Sequence, residues 1–282
     1  MAELSPEQAA ALGLWVDQQA AGRERLSVNL AGFIRRLFRS LMGQGMYDEV
    51  AVGRVAREVA AMVRQGQVAT GDLTSAYFDQ VFANMGIRSQ GRVTLPERLR
   101  GVDPAEQWQR PAREYRRHVK DGLSELDAMA RAEERAETMA RTDLTLAMRE
   151  ASRQRLVSAD SITGYRRVIH PERSKSGTTC GLCIAASDRV YRKSELLPIH
   201  DFCNCETLPI TGALDPGRTI NDQDIAELYR QALVASGGDT GRAALKRVRF
   251  AIVEHGELGP QLVVQGQRRR TARDARRDSR AA

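Results

Sequence analysis

The chain is poor in aromatic residues, which make up 5% of its 282 residues, although hydrophobic residues as a whole reach an ordinary 42%. A core built from it depends on Leu, Val, Ala and Met side chains, and this composition favours helices over a β-sandwich. The chain has no run of about 18 apolar residues, so no segment is expected to span a bilayer. Its first residues, MAELSPEQAA, lack the basic and apolar parts of a secretory signal, which predicts a protein made in the cytoplasm.

Recognisable catalytic motifs are also missing. The sequence contains no G-x-S-x-G, no H-E-x-x-H and no P-loop. Of the four histidines, His118 lies in a charged predicted helix and His255 at a predicted hairpin turn, where exposed side chains are more common than catalytic ones. The sequence therefore predicts no catalytic residue.

Cysteine is absent everywhere except in one stretch, TTCGLCIAASDRVYRKSELLPIHDFCNC, which ends at Cys205. The spacing is C-x2-C, then sixteen residues, then H-x2-C-x-C. In a reducing compartment, clustered cysteines bind metal more often than they form disulfides, and two disulfides are the alternative. The candidate metal ligands are Cys180, Cys183, His200, Cys203 and Cys205.

The predicted metal is one structural Zn²⁺. A C-x2-C turn brings two thiolates to one ion, and tetrahedral zinc needs two further ligands. Cys180, Cys183 and His200 are the preferred three, and the fourth place is open between Cys203 and Cys205. A segment of about fifty residues cannot build a large hydrophobic core, and an ion stabilises such a segment instead.

His170-Pro171-Glu172 ahead of the C-x2-C turn imitates the signature of zinc deaminases. In that signature the two halves begin separate helices. Seven residues between Glu172 and Cys180 leave no room for that arrangement, and Thr179 stands where proline is required. The deaminase interpretation is rejected.

The formal charge of +7 is concentrated at the end of the sequence. Residues 267–282 carry seven arginines and two aspartates, a net charge of +5. Such a segment can neutralise phosphates of DNA, and a solvated, disordered tail is the alternative. The candidate DNA-contacting residues are Arg268, Arg269, Arg270, Arg273, Arg276, Arg277 and Arg280.

The first half of the chain predicts helices. Ser5, Pro6 and Gln8 form a capping box with proline at the first helical position. The sequence GQG at 43–45 interrupts this helical pattern, and RQGQVATGD ends a second helix, so that Thr70 or Asp72 caps a third. One apolar stripe is predicted at Leu26, Leu30, Phe33, Leu37 and Leu41, and another at Val52, Val55, Val59 and Met62.

Two further helices are predicted beyond an irregular connection at 86–103. Asp103 caps the first, and residues 123–156, almost free of Gly and Pro, form a helix of about 50 Å. A helix of that length predicts a stalk or assembly surface, with a helical bundle as the alternative.

Short strands, a helix capped by Asn221 and a hairpin follow. The fold expected is a mainly α N-terminal part with long helices, then a small zinc-binding α+β module, then a disordered basic tail. The expected divisions are 1–157 (helical), 158–212 (cysteine and histidine module), 213–266 (helix and hairpin) and 267–282 (tail).

Residues 125–212 resemble the MuF-like minor head proteins of tailed bacteriophages, also called phage head morphogenesis proteins. The resemblance lies in the long helix with Arg141 and Thr142 and in the cysteine pattern behind it. The family pattern also matches at Ser187, Asp188, Pro198 and Pro209. The chain departs from the pattern at Asp201, where the family has proline, and at Asn204, where it has arginine.

The resemblance implies a structural role in head morphogenesis. The expected partners are the portal and the major capsid or scaffold proteins, with packaged DNA reached through the tail and no membrane. The expected location is the virion, in the head interior or at the portal vertex, after assembly in the host cytoplasm. A capsid maturation protease is the first alternative, and a zinc-containing nucleic-acid-binding protein is the second.

Overall fold

The computed structural model describes residues 4–89, 91–170, 187–193, 205–212, 214–222 and 226, together with the backbone at 250–255 and 259–264. The helices are α1 (Pro6–Arg39), α2 (Glu49–Asn84), α3 (Pro104–Gln107), α4 (Arg110–Lys120) and α5 (Glu125–Val157), with a 3-10 turn at Gly43–Met46. The strands are β1 (Ile162–Val168), β2 (Val190–Tyr191), β3 (Glu206–Thr211), β4 (Phe250–His255) and β5 (Gly259–Val264). The predicted helical N-terminal part, followed by short strands and a hairpin, is confirmed.

The start of α1 is the predicted capping box, and its buried face agrees with the predicted stripe except at Phe33. The Ser5 hydroxyl accepts a hydrogen bond from the Gln8 backbone, and the Gln8 side chain accepts one from Ser5 N. Phe33 is 51% exposed and lies under the Arg36 guanidinium, 4.5 Å from the ring centre. Leu30 and Leu41 of the predicted stripe are buried, Leu26 and Leu37 pack against the same cluster, and Ile34 and Phe38 are fully buried between them.

Helix α2 is continuous through the segment that the sequence predicts to end it. Thr70 does not cap a new helix, because its hydroxyl donates to Gly66 O within the helix, at 2.8 Å. A Cβ atom at Gly66 would lie 3.1 Å from Leu144 and 3.2 Å from Leu30. Glycine therefore permits close helix packing here, and the prediction of a break, with Asp72 as the other cap, is wrong.

Helix α3 begins as predicted, with Asp103 accepting hydrogen bonds from Ala105 N and Glu106 N. Helix α5 has nearly the predicted length, and it packs against α1, α2 and α4. Sixteen of its 33 residues are buried. The structure therefore corrects the stalk prediction, and the alternative, a helical bundle, is the one observed.

The bundle contains two large apolar clusters, one toward each end of its long helices. The first joins the C-terminal half of α1, the N-terminal halves of α2 and α5, and α4, around Phe38, Trp108 and Tyr115. The second joins the other ends of α1 and α2 to the sheet, around Phe78 and Tyr165. The sheet therefore shares its core with one end of the bundle. In the part of the chain that is described, no helix has both the length and the apolar character needed to cross a membrane.

Candidate metal centre

The three-stranded antiparallel sheet holds the chain segments that flank the predicted ligands. Strand β1 is central, with β2 on one side and β3 on the other. Val168 at the end of β1 pairs with Glu206 at the start of β3, and Arg166 pairs with Val190 at the start of β2. The chain therefore leaves β1, enters β2 and enters β3 at the same end of the sheet. One cysteine-bearing segment lies between β1 and β2, and the other lies between β2 and β3.

One of the five predicted ligands, Cys205, is among the described residues. It directly precedes β3 and is 6% exposed. Burial, together with nearby Tyr165 and Cys205, raises the pKa of Tyr191 to about 12, against the opposing effects of Arg167 and Arg189. Cys205 is thus at the sheet end described above, directly before β3.

The other predicted ligands, Cys180, Cys183, His200 and Cys203, lie outside the described residues. Within the described ranges, no three His, Cys, Asp or Glu side chains form a metal-binding group. Cys203 and Cys205 are two residues apart, a spacing that places side chains on the same face of an extended segment. Their spacing alone therefore allows either cysteine, or both, to face one ion.

Cys205 is positioned by contacts of the next two residues with the helices. The Arg23 guanidinium of α1 donates to Glu206 Oε1 from Nη2 at 2.9 Å and from Nε at 3.2 Å. The Tyr77 hydroxyl of α2 donates to Thr207 O at 2.9 Å. Burial, with a smaller contribution from Glu206, raises the pKa of Tyr77 well above its ordinary value. These contacts fix the start of β3 against the bundle.

Arg166 connects the other segments at this end of the sheet. Its Nε donates to Asp215 Oδ1 and Oδ2 at 3.0 and 2.9 Å, and its Nη1 donates to Ser187 O at 3.0 Å. The backbone of Gly217 comes so close that a Cβ atom there would lie 2.9 Å from Arg166 Cβ. The residues that precede β2 and those that follow β3 are thereby joined through one guanidinium.

Asn221 is not the N-cap that the sequence predicts. Residues 216–222 are already helical, and Asp215 Oδ1 accepts from Arg218 N at 3.2 Å. The Asn221 side chain accepts from Ile169 N at 3.1 Å and donates to Arg167 O at 2.6 Å. Asp215 followed by proline is the stronger helix start signal. The helix therefore begins before Asn221, whose side chain instead binds the backbone at the end of β1.

His170 follows β1 at the same end of the sheet. It is buried, and its Nδ1 lies 3.7 Å from Asp17 Oδ1 of α1. His170 begins the deaminase-like His-Pro-Glu sequence, and no role is predicted for it once the deaminase interpretation is rejected. In the structure it contributes to the contact between the sheet and the helical bundle.

The other features noted in the sequence are the Arg-rich tail, His118 and His255. The Arg-rich residues 267–282 lie outside the described residues. His118 Nε2 lies 3.0 Å from Glu114 Oε1 within α4, and His255 ends β4 opposite Gly259.

The fold and this candidate site define a class of protein: a bundle of long helices whose one end shares a core with a small antiparallel sheet. Comparison of the chain with protein-family models, with curated proteins and with solved structures gave no match.

Proposed function

We propose that this chain is a MuF-like minor capsid protein that acts in phage head morphogenesis near the portal and contains one structural zinc ion. The observation that carries the proposal is the C-x2-C, H-x2-C-x-C pattern directly behind the long helix with Arg141 and Thr142. The proposed ligands are Cys180, Cys183 and His200, with Cys203 or Cys205 as the fourth.

The packing of α5 supports a scaffold role for the Arg-Thr step. Arg141 Nη1 donates to both carboxylate oxygens of Glu24 in α1, at 2.9 and 3.0 Å, and its Nε donates to Glu137 at 3.0 Å. Thr142 is buried, and its hydroxyl donates to Thr138 O at 2.8 Å. The Arg141–Glu24 pair joins two long helices, which suits an architectural protein.

The arrangement of the sheet supports a structural rather than a catalytic ion. Both cysteine-bearing segments start or end at one end of β1, and Cys205 is buried there. A zinc ion with four protein ligands has no open position for water, so it stabilises the fold without activating a nucleophile. Zinc in this position would join the two connections to each other.

The far end of the bundle supports a role in an assembly. Four large apolar side chains are exposed at the turn that precedes α2 and in the first turns of α2 and α5, where they are available for protein contacts. These are Met42 (44% exposed), Tyr47 (46%), Val50 (81%) and Leu126 (71%). The proposed partners are the portal and the major capsid or scaffold proteins.

The experiment is head assembly in cells that express the portal, scaffold and major capsid proteins with and without this chain. The expected result is copurification of the chain with procapsids in a few copies per particle. A His200→Ala variant is expected to be lost from the particles or misfolded, because an imidazole ligand is missing. The matched control is Asp201→Ala, which alters the neighbouring residue but no proposed ligand.

Two results would overturn the proposal. The first is full incorporation of His200→Ala together with unchanged metal content. The second is a substitution of any serine, His118 or His255 that leaves the chain folded and incorporated but prevents shortening of the major capsid protein. The second result would support a capsid maturation protease instead.

A further inference from the structure

Helix α4 has a high local positive charge. Its eleven residues include five Arg or Lys and one Glu, a net charge of +4. Residues 267–282 carry +5, so the other 255 residues have a net charge of −2. Helix α4 is therefore a local concentration of positive charge on an ordered helix.

The fold exposes one face of α4 along its length. Pro111, Ala112 and Tyr115 are buried against the bundle. The exposed cations are Arg113, Arg117 and Lys120. Spacings of four and three residues place these three on one side of a helix, over about 10 Å.

Within the described part of the chain, no carboxylate of another helix pairs with a cation of this face. Arg39 of α1 is paired with Glu133 of α5 at 2.7 Å, so its charge is matched across the helix contact. Arg113 donates to the neutral Gln109 amide at 3.1 Å, and Lys120 has no ion pair within the described part of the chain. Glu114, paired with Arg117, is the one carboxylate that α4 itself contributes.

We propose that the exposed face of α4 binds the phosphate backbone of double-stranded DNA without reading its sequence. The partner follows from the chemistry: a straight row of cations on a rigid helix matches a regular row of phosphates, and Arg and Lys bind phosphate oxygens directly. The three side chains have no neighbouring aromatic platform among α4 residues on that face, which favours duplex over single-stranded nucleic acid. This surface is separate from the Arg-rich tail and does not depend on the proposed role in the virion.

The size of the effect follows from counterion release. Each phosphate neutralised adds about 0.9 to the slope of log K against log salt concentration. Three contacts from α4 therefore contribute a slope of about 2.7. Loss of these contacts at moderate salt is expected to weaken binding about tenfold or more.

The test uses the full-length protein and a fluorescent DNA duplex of arbitrary sequence, with anisotropy measured across a salt series. The variant is Arg113→Ala, Arg117→Ala and Lys120→Ala together, since alanine keeps the helix. The control removes the same charge from three exposed arginines outside α4, by Arg25→Ala, Arg88→Ala and Arg92→Ala. Circular dichroism compares the folds, and Gln replacements at the same three α4 positions are the second variant if the Ala variant is misfolded.

The expected result is a tenfold or greater loss of affinity and a slope smaller by about 2.7 in the α4 variant, with little change in the control. Equal losses in the α4 variant and the control would overturn the proposal, since net charge alone would then explain binding. Poly-glutamate serves as a second probe. Unchanged DNA binding with reduced poly-glutamate binding would also overturn it and assign α4 to an acidic protein partner.

Discussion

Arg23 of α1 and Glu206 of β3 form a buried ion pair, with Nη2 and Oε1 2.9 Å apart and side-chain exposures of 7% and 2%. The pair joins residues 183 positions apart and lies beside Cys205. It therefore connects the helical bundle directly to the start of the strand that follows the second cysteine-bearing segment.

Removal of one member of this pair is expected to destabilise the fold strongly. Arg23→Met or Glu206→Gln leaves the other group buried without this ion pair, at a cost of about 3–5 kcal/mol in the free energy of unfolding. Urea denaturation measures the change. The matched control is Glu134→Gln in the exposed pair with Arg131, for which a change of about 0–1 kcal/mol is expected.

The double variant Arg23→Met, Glu206→Leu sharpens this prediction. It replaces both charges by apolar side chains, so no buried charge is left alone, and it is expected to be clearly more stable than either single variant. Single variants no less stable than Glu134→Gln would contradict the role given to the pair.

Tyr77→Phe is expected to cost about 1–3 kcal/mol near neutral pH, because the buried Thr207 carbonyl loses its donor. The cost should depend on pH. Burial, then Glu206, raises the pKa of Tyr77 in the folded state, so the unfolded chain loses this proton first as pH rises. The hydroxyl's contribution is complete below the unfolded value of about 10 and is lost at higher pH.

Denaturation at several pH values checks this. The difference between wild type and Tyr77→Phe should stay constant below pH of about 10 and shrink by about 1.4 kcal/mol per pH unit above it. Tyr47→Phe, at an exposed position, is the control for removal of a tyrosine hydroxyl. A difference that grows with alkaline pH would contradict the assignment.

The sequence predicts those features whose causes are local. The Ser5 and Asp103 caps are recognisable because each cap and the backbone groups it binds lie within three residues. The continuity of α2 at Gly66 depends on Leu30 and Leu144 in other helices, and no local signal carries that information. Sequence propensity therefore predicts a break where tertiary packing maintains a helix.

The same distinction applies to the candidate site. Ligand types and spacings are visible in the sequence, so the zinc prediction could be made from residue order alone. The contact of Arg23 with Glu206 could not be predicted, since many arginines and glutamates could pair over such a separation. The role of Asn221 was missed because its partners, Ile169 N and Arg167 O, are backbone groups of a distant strand.

Purified protein is expected to contain about one zinc ion per chain, measured by elemental analysis. Cys180→Ser should abolish stoichiometric binding, whereas Thr179→Ser, beside it, should not. Cys203→Ser and Cys205→Ser, compared with each other, identify the fourth ligand. A metal-free protein in which mass mapping finds two disulfides would contradict this prediction.

Loss of zinc should not affect the two apolar clusters equally. The sheet shares its core with Tyr77, Phe78 and Phe82 of α2, whereas the described members of the cluster around Trp108 all belong to helices and their turns. Hydrogen exchange of Cys180→Ser is therefore expected to increase in the sheet and in the C-terminal third of α2, with less change near Trp108. Uniform acceleration throughout all helices would contradict this division.

The Arg-rich tail is expected to contribute to DNA binding independently of α4. Deletion of residues 267–282 removes seven arginines and two aspartates, so affinity for duplex DNA should fall and its salt dependence should become flatter. The control is a tail of the same length in which the seven arginines are replaced by glutamine. If the tail acts through charge, this variant should match the deletion. If the deletion and the wild type bind equally at every salt concentration, the tail does not contact DNA, and the solvated-tail alternative is supported.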